Sequence, residues 1–85
     1  MATVVTDRFL EGYFAEPDAR CPYIATSISS DAFEIGRAFM KAGNLPADYV
    51  RKSRGDSYVV KAGGETIVCS VKWRKGVPEV REISA

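Results

Sequence analysis

The residues best able to do chemistry lie close together in the chain. Arg51, Lys52 and Arg54 come first, then Lys61, then the run Lys72, Trp73, Arg74 and Lys75. Cations around an aromatic ring suit one task above others: they hold the phosphate backbone of a nucleic acid while the ring stacks on a base. Trp73 admits two readings, because its charged neighbours suit a contact residue whereas the phase of its strand turns it toward the core. A second set, Glu11, Glu16 and Asp18, is acidic and would suit the basic groove of a nucleic-acid-processing protein. Both sets belong to a wider division. Residues 1–50 hold seven acids and four bases, and residues 51–85 hold four acids and eight bases, so the net charge of +1 conceals a dipolar molecule.

Catalysis is not expected. The chain has no histidine, which removes the commonest general base, and the acids Glu11, Glu16 and Asp18 sit on or beside a short helix with nothing to raise their pKa values. Cys21 and Cys69 lack the CxxC spacing of a zinc or redox site, so free thiols are expected and no metal or cofactor. Strand phase turns Cys69 inward, away from any substrate. Gly63-Gly64 leads into a strand, not into the helix N-terminus that holds phosphate, and so reads as a turn. Arg54-Gly55-Asp56 matches an adhesion tripeptide but also reads as a turn, with glycine where positive φ is wanted.

These residues need elements to position them. A chain of 85 residues builds one core and one domain, here 1–85. Thr6 reads as the N-cap of a first helix carrying Phe9, Leu10, Tyr13 and Phe14, stopped near Ala15 by Pro17. Residues 16–30 form an irregular connection in which Pro22, Tyr23, Ile24 and Ile28 supply anchors. A second helix follows from a cap at Ser30, with Phe33, Ile35, Phe39 and Met40 along or near one stripe and Gly43 as its left-handed stop. Pro46 then opens one or two helical turns over Ala47 to Lys52, with Tyr49 and Val50 inward.

Beyond residue 53 the period falls to 2. Strands are expected at Ser57–Ala62, Glu65–Trp73 and Val77–Ile83, with Gly63-Gly64 and Arg74-Lys75-Gly76 as turns. Ile67, Cys69, Val71 and Trp73 form the core face of the second, and Pro78 puts the third at an edge. Glu79, Arg81 and Glu82 alternate there, as on edges that resist aggregation. The expected fold is α+β: an N-terminal helical hairpin, acidic and ending at residue 52, packed on a basic three-stranded antiparallel β-meander from 53 to 85. No segment is long and apolar enough to cross a membrane. Met1 to Asp7 lacks the basic and apolar regions of a secretory signal, which makes the cytoplasm the expected compartment.

Gly12-Tyr13, Cys21-Pro22-Tyr23 and the Phe33-Glu34-Ile35-Gly36 step form a pattern that resembles the ribosome modulation factor family over residues 8–43. The resemblance implies a two-helix hairpin and a ribosome as partner. The family's basic N-terminus is absent apart from Arg8 and Arg20, and the β half has no counterpart in it. Ribosome binding would therefore fall to Arg51, Lys52, Arg54, Lys72, Trp73, Arg74 and Lys75. The expected function is thus non-catalytic binding to the ribosome or another nucleoprotein complex. The alternative is a phage-type inhibitor, such as an anti-CRISPR protein, that blocks a nucleic-acid-processing complex through Glu11, Glu16 and Asp18. Oligomeric state stays open.

Overall fold

A computed structural model describes residues 4–16 and 18–84. Two helices, α1 (Val4–Phe14) and α2 (Ile28–Lys41), precede four strands, β1 (Tyr49–Lys52), β2 (Ser57–Ala62), β3 (Glu65–Arg74) and β4 (Val77–Ser84). The strands form one antiparallel sheet in the order β1-β2-β3-β4, and the helices cover one of its faces. The α+β class and the helical hairpin are as expected, but the sheet has four strands, not three. None of the helices among the described residues is long and apolar enough to cross a membrane.

The extra strand is the segment read as helical turns. Tyr49 to Lys52 pair with Lys61 to Tyr58 of β2, and only Val50 of the expected inward pair is fully buried. Four residues are too few for periodicity to distinguish helix from strand, so pairing decides. The decision is reinforced from α1. The Thr6 hydroxyl accepts the Val50 N–H at 3.0 Å and donates to the Val50 carbonyl at 3.2 Å. Thr6 is therefore not the N-cap: α1 begins before it, and the threonine is a buried brace between helix and strand. Pro17, expected to stop α1, lies outside the described residues, although the helix ends at Phe14.

Helix α2 also starts a turn earlier than its expected cap. Ser27, in extended backbone with φ −77° and ψ 160°, accepts the Ser30 N–H, while Ser30 is buried and donates to the Ser27 carbonyl. Several serines in succession all satisfy the capping rule, and burial of Ser30 selects Ser27. The connection before it is not anchored by Ile24 and Ile28, which are 85% and 47% exposed. Its anchors are Tyr23, which meets the Phe33 ring edge-on and donates to Glu11, and Arg37, which donates to the Ala19 carbonyl.

The two helices touch through glycine. A Cβ on Gly12 would collide with the Phe33 carbonyl, and one on Gly36 with the Phe9 carbonyl. This close approach lets Phe9, Ala32, Ile35 and Phe39 meet Val50, Tyr58, Val60, Cys69 and Val71 in one core. On the sheet side, both tight turns place their central residues at positive φ: Gly63 and Gly64 at 58° and 82°, Lys75 and Gly76 at 51° and 77°. That is the primed turn geometry that matches strand twist. Gly12→Ala should force the helices apart and cost about 3 kcal/mol, the upper range for overpacking a core. Urea denaturation of the variant beside wild type measures the loss.

Candidate nucleic-acid interface

The helices cover one face of the sheet and leave the other open, so strand parity decides which side chains reach solvent there. In register, Tyr49 lies beside Lys61, Arg51 beside Val59, Ser70 beside Arg81, Lys72 beside Glu79 and Arg74 beside Val77. All these residues share the open face. It carries five cations, Arg51, Lys61, Lys72, Arg74 and Arg81, against the single carboxylate of Glu79. Arg81 donates to Glu79 at 2.7 Å and draws that carboxyl below its usual range.

Two residues on this helix-free face are nearly inaccessible: Val59 at 9% and Ser70 at 8%. In register, Val59 lies between Arg51 and Val68, and Ser70 between Ser57 and Arg81. Arginine stems commonly cover apolar surface while the guanidinium stays in water. The face is thus a mixed floor of valine, serine and threonine that carries a layer of cations.

Of the seven residues read as nucleic-acid contacts, the fold brings Arg51, Lys72 and Arg74 onto this face. Arg54 and Lys75 are exposed on turns at the end of the sheet where β2 begins and β3 finishes. Lys52 has the opposite parity. Its ammonium sits 5.0 Å over the Tyr58 ring and donates to the Gly55 carbonyl. Trp73 is half-buried and turned toward the helices, where its indole N–H donates to Asp31 Oδ1 at 2.6 Å. Arg81 is the contact candidate that sequence reasoning passed over. Its alternation with Glu79 reads as edge patterning until pairing with Ser70 places it on the open face.

The acidic set is less concentrated. Glu11 accepts from Arg8 at 2.6 Å and from the Tyr23 hydroxyl, whereas Glu16 and Asp18 are exposed in the connection. Among the described residues, no cluster of cysteine, aspartate or glutamate has the composition of a metal site. Burial, and after it the nearby Glu82, push the Cys69 thiol up to about 12, so it remains protonated at neutral pH. The thiols of Cys69 and Cys21 are free.

Beneath the open face lies the polar knot that orients it. The buried Asp31 carboxylate accepts from Trp73 through one oxygen and from the Tyr58 hydroxyl through the other, at 2.7 Å. Burial and the Asp31 carboxylate together hold the Tyr58 phenol well above its ordinary pKa. Comparison with protein-family models, curated proteins and solved structures found no match for this chain.

Asp31→Ala would strand the Tyr58 hydroxyl in the core and remove two bonds to a charged acceptor. A loss of about 3 kcal/mol is expected from either effect, read from denaturation midpoints together with a red-shifted Trp73 emission. Alkali should weaken the fold by a separate route. Cys69 and Tyr58 keep their protons in the folded state, while the unfolded chain releases them near their ordinary values of 9.0 and 10.0. The unfolded state therefore binds fewer protons, and stability falls as pH rises from about 9 toward 12. Thermal melts across that window test the slope, and a flat profile would contradict it.

Proposed function

We propose that this chain is a non-catalytic RNA-binding protein of the cytoplasm that acts on a larger nucleoprotein assembly, the ribosome foremost, through the open face of its sheet. The observation that carries the reading is the cationic layer of Arg51, Lys61, Lys72, Arg74 and Arg81 on a face free of helices. A surface about 30 Å long, the span of a ten-residue strand such as β3, can lie across a phosphate backbone at several points at once. Counterion release would then drive binding with little dependence on sequence.

Base stacking by Trp73 is not part of the reading, because the indole is engaged with Asp31 on the other side of the sheet. The likeness of residues 8–43 to ribosome modulation factors supports the choice of assembly, and the basic face supplies the contact that their N-terminus would otherwise make. The inhibitor reading has less support, since Glu11 already holds Arg8 and Tyr23.

The test combines RNA titration at graded salt with cosedimentation on ribosomes. Replacing Arg51, Lys72 and Arg74 together by glutamine should flatten the slope of log affinity against log salt by about 2 to 3, on the order of 0.7 to 0.9 for each phosphate no longer neutralised. The triple variant should also leave the ribosomal pellet. Wild-type affinity that is unchanged between about 50 and 200 mM salt would rule out phosphate binding as the main role.

A further inference from the structure

We infer that β4 is a dimerisation edge: it pairs antiparallel with β4 of a second copy of this chain, in the register that sets Glu79 of each copy opposite Arg81 of the other. β4 is the longer of the two edges of the sheet, eight residues against four in β1.

The hairpin before it fixes which backbone groups are free. In a two-residue turn the flanking residues, here Arg74 and Val77, form the hydrogen-bonded pair, and bonding alternates from there. Val77, Glu79 and Arg81 therefore direct their backbone groups to β3, and Pro78, Val80 and Glu82 direct theirs outward. Pro78 sits where its missing N–H costs the β3 ladder nothing. About a twofold axis at Val80, the Val80 groups of two copies exchange bonds reciprocally, and each Glu82 N–H meets the Pro78 carbonyl opposite.

Charge selects this register over its neighbours. Centred on Val80, each Glu79 faces an Arg81 across the axis, on the open side of the sheet. A slip by two residues in one direction sets Glu79 against Glu79, and in the other Arg81 against Arg81, arrangements that destabilise a strand pair. The alternation that guards the edge against indiscriminate pairing thus leaves one pairing open. On the helix side, Pro78 and Val80 line a shallow groove of about 220 Å³ with Glu34 and Lys41 of α2. Helix α2 sets Asp31, in its first turns, beside Trp73 and its C-cap Ala42 near Glu82. The twofold consequently turns the Glu34 end of one copy toward the Lys41 end of the other. A pairing that uses the same edge on both chains is isologous and closes at two copies.

Sedimentation velocity over a concentration series tests the pairing. The wild-type mass should rise from 9.3 kDa toward twice that value. Glu79→Arg alone and Arg81→Glu alone should each weaken self-association at least tenfold. Both side chains are exposed, at 40% and 64%, so the fold should survive, with circular dichroism as the check. An equimolar mixture of the two variants should form a heterodimer, because every facing pair is again of opposite sign. Mass is the readout, since Arg81→Glu also changes the basic face. A wild type that stays at 9.3 kDa throughout, single variants that associate as well as wild type, or a mixture that stays monomeric would each overturn the pairing.

Discussion

Asp31 carries a carboxylate into the layer between α2 and the sheet, and a charge in that position is costly unless donors meet it. Tyr58 on β2 and Trp73 on β3 meet it, one at each oxygen. The consequence reaches beyond the bonds themselves. An indole committed to the helix side fixes the phase of β3, and a strand fixed in phase must present Lys72 and Arg74 on the opposite face. The cationic surface is thus positioned by an anion buried beneath it. Thr6 does similar work at the other margin, where its hydroxyl spans the Val50 amide and carbonyl and phases β1 so that Arg51 points outward.

The helical hairpin is the counterpart of this arrangement. Gly12 and Gly36 bring two backbones into contact, which lowers the helix layer and lets Phe9 and Phe39 pack edge-on at 5.2 Å above the strands. Gly12, Tyr23, Phe33 and Gly36, four of the residues that carry the likeness to ribosome modulation factors, take part in this packing, and Arg37 beside them joins it. The glycines make the crossing, Tyr23 braces the connection against Phe33, and Arg37 stacks 5.2 Å from that ring while holding Ala19. Their role is architectural, so the proposed contact with an assembly rests on the strands that follow. Charge is distributed in keeping with that division, with acids on the helical half and bases on the sheet. Such a dipole orients a polyanion before contact.

A helix-free sheet face must avoid becoming an aggregation surface, and here exposed lysine and arginine answer that need on a face where Val59 and Ser70 are themselves buried. The side chains that keep this face soluble are the same ones that the proposed RNA contact would use. The sheet's outer edge, β4, alternates Glu79 and Arg81 on that same face.

By itself the sequence determined what local rules control: the two hairpins, through Gly63-Gly64 and Gly76, which accept positive φ; and the inward set Ile67, Cys69, Val71 and Trp73, through a period of 2. Tertiary structure decided the features whose partners lie far along the chain. β1 is a strand because Val50 finds Thr6 and β2, and Ser27 caps α2 because Ser30 is needed inside. Trp73 is held inward by Asp31, and Arg81 joins the basic face because β4 pairs with Ser70. The reason is one of range. A turn or a periodic stripe is settled within a few residues, whereas a short ambiguous segment or a lone polar side chain takes its conformation from whichever distant group completes its hydrogen bonds as the core closes.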